Sequence, residues 1–197
     1  PFQVRQEDDG SYSFPEDNEE VIDGDFSNGS FDNWAKNPNI TNIASSQITS
    51  NSLKFSHRSK TNYNGAATTP AFWGHALAVW QELDVSDKKY VTLSASGTAV
   101  DFAAGGPGIL RVGLSTTVPD GNTVDFTSTT AGDIPTTNSN ISTFDLSTDD
   151  GVAGYLEWSV AGDNTALKNL QNINVENINT VYVIVVSFHN FTASNAT

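Results

Sequence analysis

Apolar residues alternate with polar residues along most of the chain, and Gly, Asn, Asp and Pro separate the alternating runs. An alternation of period two predicts β-strands, because successive side chains of a strand point to opposite faces of the sheet. Many short strands, frequent turns and almost no helical periodicity together predict an all-β fold, an antiparallel β-sandwich or jelly roll with little or no helix. The best strand candidates are residues 52–56, 75–83, 90–97, 109–115, 154–160 and 180–188.

Two of these strands carry the clearest burial predictions. Residues 180–188 are apolar at nearly every position, which indicates burial on both faces or an interior place in a sheet. In residues 154–160, one face carries Leu156, Trp158 and Val160, so we expect these three side chains in the core.

Other segments break the alternation. Residues 163–170 are the one segment with a helical pattern, and it is short. Residues 116–143 are rich in Thr, Ser, Asn and Gly, with weak strands around residues 124–126, and are expected to form long surface loops.

The first twenty residues differ from the rest in charge. Seven acidic side chains face one base, Arg5, so we interpret residues 1–20 as an extended acidic leader and residues 21–197 as the sandwich domain. Apolar residues still occur at alternate positions of the leader and could form short strands. These residues are Phe2, Val4, Tyr12 and Phe14.

Composition narrows the possible partners. The net charge of −14 would repel nucleic acid and anionic lipid, so neither is expected as a partner. The longest apolar stretch, residues 181–186, is far too short to span a membrane as a helix, so membrane insertion is not expected. The absence of Cys excludes disulfides and thiolate metal sites.

Ser, Thr and Asn make up almost a third of the chain, a composition common in secreted β-proteins. We therefore expect a secreted or cell-surface protein. Asn-x-Ser/Thr patterns would suit glycosylation, although several are expected by chance in such a sequence. They begin at Asn28, Asn39, Asn140, Asn190 and Asn195.

Two ordered blocks of the sequence combine turn residues, a short strand pattern and an aromatic residue. The first is Val21-Ile-Asp-Gly-Asp-Phe-Ser-Asn-Gly-Ser-Phe-Asp-Asn-Trp34, and the second is Ser52-Leu-Lys-Phe-Ser-His-Arg-Ser-Lys-Thr-Asn-Tyr-Asn-Gly65. Both blocks resemble carbohydrate-binding modules of the family 4 and family 22 type. The continuations Val79-Trp-Gln-Glu-Leu and Lys89-Tyr-Val-Thr-Leu-Ser-Ala-Ser are also similar to that family. The resemblance implies a jelly roll with Trp34 in its core, and a polysaccharide as the ligand.

The resemblance also implies site residues. Tyr63 would stack on a sugar ring beside Arg58 and Asn64, although Tyr63 could instead cover an edge of the core and Arg58 could form a structural ion pair. Independently of the resemblance, Trp73 lies in an aromatic cluster between Pro70 and Gly74 and is expected on a loop, either binding a ligand or closing the end of the sandwich.

Two further residues follow from the strand pattern. Tyr155 and Glu157 lie on the face opposite Trp158 and could line a binding groove, although outward polar residues of a strand need no function. We count Glu157 among the candidate polar contacts to a glycan.

Calcium is a possible structural cofactor. Asp23 and Asp25 flank Gly24 in the first block, and carboxylate oxygens at such a turn suit Ca²⁺. Ser27 stands where the family usually has Glu, and six to eight oxygens are needed. The alternative is that both aspartates bond their own backbone as turn formers.

Motifs of catalysis are missing from the sequence. There is no Gly-x-Ser-x-Gly elbow, phosphate loop or paired-His zinc pattern, and adjacent acids such as Asp149 and Asp150 are more simply a turn. We therefore expect a non-catalytic carbohydrate-binding module, at most an accessory part of a carbohydrate-active enzyme.

An alternative function is a structural subunit of an extracellular fibre or adhesin. The family usually closes with a strand containing Ile-Asp-Asp or Ile-Asp-Asn, and this chain reaches Thr197 without one. The leader could fill such a gap in a neighbouring copy by β-strand exchange.

Overall fold

The computed structural model describes residues 5–6, 12–13, 20–39, 44–57, 72–99, 108–119, 124–128, 144–159 and 162–192. This part of the chain contains twelve strands and no helix, and every strand pair is antiparallel. It therefore contains no helix long and apolar enough to cross a membrane. The predicted all-β antiparallel architecture is confirmed.

The strands follow one another in chain order. They are β1 (Arg5–Gln6), β2 (Tyr12–Ser13), β3 (Ala35–Lys36), β4 (Ala44–Ile48), β5 (Leu53–His57), β6 (Phe72–Asp84), β7 (Tyr90–Ser96), β8 (Gly108–Ser115), β9 (Val124–Ser128), β10 (Tyr155–Ser159), β11 (Leu167–Asn174) and β12 (Thr180–Thr192).

Six strands form the main sheet. Its order is β10-β8-β12-β6-β3, and β9 pairs with another part of β6. Strand β12 lies between β6 and β8 and pairs with β6 over all 13 of its residues. The prediction for residues 180–188 is confirmed, since Val181 and Ile184, which point to opposite faces, are both fully buried.

The main core lies on one face of this sheet, here called the inner face. The ladders β7–β11 and β4–β5 cover that face and contribute buried or half-buried side chains to the same cluster. Trp34, Leu156 and Trp158 are buried there as predicted, while Val160 lies outside the described residues. The Trp158 indole is fully buried and donates to the carbonyl of Thr165 at 2.8 Å.

The opposite face of the main sheet, here called the outer face, carries a second apolar cluster. Its buried members are Ala78, Trp80, Ile184, Val186 and Phe188. Strands β6 and β12 are thus covered on both faces, which explains why their sequences lack a clean alternation of apolar and polar residues.

The leader also contains strand structure. The short strands β1 and β2 pair with each other, with Gln6 opposite Tyr12. Within the described residues, they join none of the other sheets.

Two predictions of local structure were wrong. Residues 163–170, predicted as a helix, belong in part to strand β11, which pairs with β7 through an irregularity between Leu170 and Ile173. Trp73, predicted on a loop, lies within β6 and pairs with Phe191 on one side and Thr127 on the other.

Candidate functional site

The outer face carries a row of polar and aromatic residues near one edge of the main sheet. Glu157 of β10 lies directly opposite Arg111 of β8, and Arg111 lies opposite Val186 of β12. Since alternate residues share a face, Tyr155 joins Glu157 on the side away from Trp158, as predicted. Cross-strand neighbours of this kind contact one another directly.

Arg111 and Glu157 form a tight ion pair. The Nε atom of Arg111 donates to Oε2 of Glu157 at 2.7 Å, and the Nη2 atom of Arg111 lies 2.6 Å from the same oxygen. The Arg111 side chain is only 16% exposed and that of Glu157 37%, so the guanidinium lies deeper in the sheet face than the carboxylate. Charge-assisted bonds at these distances hold both groups in fixed positions.

Aromatic rings surround the guanidinium. Its carbon lies 4.5 Å from the centroid of the Tyr155 ring and 6.0 Å from that of Phe188, both within range of cation–π attraction. Phe144 packs beside Tyr155, with ring centroids 5.2 Å apart. We call Arg111, Phe144, Tyr155, Glu157 and Phe188 the outer-face cluster.

Gly113 makes room for one of these rings. A Cβ atom at Gly113 would lie 2.3 Å from Phe144 Cδ1 and 2.6 Å from Tyr155 Cβ. Those distances are far inside van der Waals contact, so the strand needs glycine at this position for Phe144 to pack against it.

The predicted site residues fall into three groups. Glu157 is part of the outer-face cluster. Trp73 lies in β6, within the main sheet. Arg58, Tyr63 and Asn64 lie outside the described residues, so their proposed roles stay predictions.

The sequence pattern alone did not identify Arg111 as a candidate site residue. The signal for it was its position in the strand predicted at residues 109–115, where it shares a face with Ile109 and Gly113. Only the register with β10 shows that its partner is Glu157.

The turn at Asp23 and Asp25 is held by the carboxylates themselves. Asp23 has φ of 54°, and its Oδ1 accepts from the backbone N–H of Asn28 at 3.1 Å. Oδ1 of Asp25 accepts from the backbone N–H of Ser27 at 3.0 Å, and this bond lowers the pKa of Asp25. These contacts support the turn-forming alternative.

The case for calcium at this turn rests on one atom. Oδ2 of Asp23 is buried and has no hydrogen-bond partner among the described residues. Those residues contain no group of three His, Cys, Asp or Glu side chains close enough to hold a metal ion, and Ca²⁺ requires six to eight oxygens. The oxygen donors among the described residues are too few to form a calcium site, so calcium as a structural cofactor stays a prediction.

A cleft of about 950 Å³ opens on the other side of the molecule, between β5 and β7. Its floor is the inner face of the main sheet, with Leu110, Val112, Val183 and Val185. This cleft was not anticipated from the sequence.

Comparison with protein-family models, with curated proteins and with solved structures finds no match for this chain. The resemblance to family 4 and family 22 modules therefore stays a prediction, and arguments about function rest on the geometry above.

Proposed function

We propose that this protein is a non-catalytic carbohydrate-binding module that recognises a neutral polysaccharide on the outer face of its main sheet. The observation that carries the proposal is the Arg111–Glu157 pair, held beside the Tyr155 ring at a partly exposed position. Sugar sites combine aromatic surfaces for the apolar faces of the rings with fixed polar groups for the hydroxyls. The outer-face cluster provides both.

The rigidity of the cluster favours binding. The Nε and Nη2 atoms of Arg111 contact the same carboxylate oxygen of Glu157. The register of β8 with β10 fixes the two side chains relative to each other. A ligand would not have to order these side chains, so less of its interaction energy would be lost as conformational entropy.

Electrostatics restricts the ligand. The net charge of −14 disfavours strongly anionic glycans, because the long-range field of the protein repels them at low ionic strength. We therefore expect a neutral or weakly charged polysaccharide.

Binding can be measured by titration against a panel of soluble neutral polysaccharides. For a polysaccharide that binds, we expect Tyr155→Ala and Glu157→Gln each to weaken affinity by about tenfold or more, which corresponds to about 1.4 kcal/mol. The matched controls are Tyr90→Ala and Glu176→Gln, because Tyr90 and Glu176 are exposed and lie outside the outer-face cluster.

Three results would contradict this proposal. Unchanged affinity in Tyr155→Ala and Glu157→Gln, with both variants folded, would remove the outer-face cluster as the site. If Tyr63→Ala or Trp73→Ala alone abolished binding, the site would instead be the one predicted from the sequence. Failure to bind any glycan of the panel would reject the function itself.

A further inference from the structure

The cleft between β5 and β7 has the shape of a space for one more strand. It is lined by consecutive residues of both strands, including Leu53, Lys54 and Phe55 on one side and Leu93, Ser94 and Ala95 on the other. Consecutive residues point to opposite faces of a strand, so only a cleft running along the strand edges can touch them all. The cleft therefore separates two edges of the covering layer.

Each of these edges belongs to a two-stranded ladder. Within the described part of the chain, β7 pairs with β11 alone and β5 with β4 alone. No residue of β11 is among the described lining of the cleft, so the cleft follows the edge of β7 away from its partner. Edges of this kind offer backbone N–H and C=O groups to an added strand.

The chemistry of the cleft suits a peptide better than a sugar. The floor is aliphatic, and of the three aromatic residues in the described lining, Phe26 and Trp34 are only 8% and 6% exposed and Phe55 is half-buried. Apart from Phe55, a sugar would find little open ring surface here, whereas a strand with apolar side chains on one face would cover the floor.

We propose that the cleft accepts a β-strand from the leader of a second copy of this chain, with Tyr12 and Phe14 pointing to the floor. Tyr12 and Phe14 alternate with Ser11 and Ser13 in an uncharged segment, so one face of the strand is apolar and no charge is buried. This inference is independent of the proposed glycan site, which lies on the opposite face of the main sheet.

The leader is available for this pairing. Its residues Tyr12 and Ser13 already have strand conformation, and their partner is the short strand β1 of the same leader rather than β5 or β7. On insertion into a second copy, the leader strand would give up this two-residue ladder with β1. It would instead pair with the edges of β5 and β7 of that copy. Because the donor segment and the cleft are different surfaces, the contact is head-to-tail and produces open chains of subunits.

Cysteine trapping in the full chain is the most direct experiment. The sequence contains no Cys, so engineered thiols have no native competitor. One chain carries Ser13→Cys, and a second, differently tagged chain carries Ser94→Cys or Ser96→Cys, two exposed positions of β7 that allow for two registers. We expect a disulfide between the two chains under mild oxidation. The control is Gln171→Cys on β11, which is exposed but lies away from the cleft and should not be trapped.

A chain that carries Ser13→Cys together with either Ser94→Cys or Ser96→Cys shows whether the inserted leader comes from another copy or from the same chain. Intermolecular disulfides that form a ladder support exchange between copies. Disulfides within single chains at low concentration would overturn the proposal, because the leader would then complete its own sandwich. Absence of trapping at both β7 positions would also overturn it.

Light scattering provides the second measurement. Tyr12→Ser/Phe14→Ser should reduce self-association to less than about a tenth of that of the parent chain, whereas Asp8→Asn/Asp9→Asn, which removes two negative charges, should preserve or strengthen it. Association should strengthen as salt is raised, because copies of charge −14 repel one another and ions screen this repulsion. Equal association of the serine variant and the parent chain would contradict the proposal, whatever the glycan titrations show.

Discussion

The side-chain amide of Gln81 closes a ring of hydrogen bonds with the backbone of Ile22, which lies 59 residues earlier in the chain. Oε1 of Gln81 accepts from the N–H of Ile22 at 2.8 Å, and Nε2 donates to its carbonyl at 3.0 Å. The same Nε2 donates to the carbonyl of Asn33 at 2.8 Å. Gln81 thus joins both ends of the segment of residues 22–33 to β6 from a buried position.

Replacement of Gln81 should be costly. Gln81→Leu keeps the approximate volume but removes partners of three backbone groups, and we expect a loss of about 2–4 kcal/mol in the free energy of unfolding, measured by urea denaturation. Gln171→Leu, at an exposed position of β11, is the control and should change stability by less than about 0.5 kcal/mol. Equal effects of the two substitutions would show that the Gln81 bonds contribute little.

The glycine under Phe144 leads to a second prediction. Gly113→Ala would place a Cβ inside the contact distance of the Phe144 ring, so we expect destabilisation by about 1–3 kcal/mol. In a background with Phe144→Ala, the same substitution should cost less. Gly162→Ala is the matched control, since its Cβ would lie 3.7 Å from its nearest neighbour, Ser159. Additive effects of Gly113→Ala and Phe144→Ala in thermal unfolding would contradict the contact.

Acid should weaken the fold in part through the exposed carboxylates of Asp163 and Asp149. The Lys168 ammonium, followed by the N–H and hydroxyl of Thr165, lowers the pKa of Asp163, and the Tyr90 hydroxyl and the Asn174 amide lower that of Asp149. The unfolded chain therefore takes up these protons at a higher pH than the folded chain does. Their contribution is complete above the unfolded value, near 3.8, and is lost as the pH falls through the folded values.

The test is the melting temperature between pH 6 and pH 2. We expect a fall below about pH 4 in the parent chain, and a smaller fall in Asp163→Asn and Asp149→Asn. Asp87→Asn is a suitable control for removal of an exposed carboxylate. Identical pH profiles in all four chains would show that these carboxylates are not linked to folding.

The turn at Asp23 provides a test for calcium. We expect Asp23→Ala to cost about 1–2 kcal/mol, because Oδ1 then no longer accepts from Asn28, and to cost the same in EDTA as in millimolar Ca²⁺. A parent chain that melts at higher temperature in Ca²⁺, with the gain lost in Asp23→Asn, would instead show that a cation binds beside the buried Oδ2 atom.

Alternation of apolar residues was enough to predict the core of the main sheet. Leu156 and Trp158 are buried on the inner face, and Tyr155 and Glu157 lie on the outer face, as the pattern requires. Strand β4 escaped prediction because its sequence is mainly polar. Ser46 in β4 is buried, with its backbone N–H and hydroxyl satisfied by Oδ1 of Asn39.

The incorrect prediction of a helix at residues 163–170 also has a local cause. The register of β11 shifts between Leu170 and Ile173, and Asn172 in that interval has φ of 58°. The extra residue of a bulge lets both apolar side chains pack on the core although they are three apart. Within residues 163–170, Leu167 and Leu170 are also three apart, a spacing that one face of a helix produces, whereas in strand β11 Leu167 is exposed and Leu170 packs on the core.

The candidate site and the cleft depend on long-range pairing. Arg111 and Glu157 are 46 residues apart, and the edges of β5 and β7 belong to segments that no local pattern brings together. Sequence reading could therefore name Glu157 as a candidate, but it could not find its partner or the gap between the two ladders.

The long pairing of β12 has a mechanical consequence. The strand runs for 13 residues, about 43 Å at the rise of an antiparallel strand, and has neighbours on both sides for much of that length. A force along its axis would load the ladder bonds in shear, so many would have to break at once, whereas a force across it would break them one after another. Under axial tension, the main sheet would therefore resist rupture far better than its equilibrium stability alone indicates.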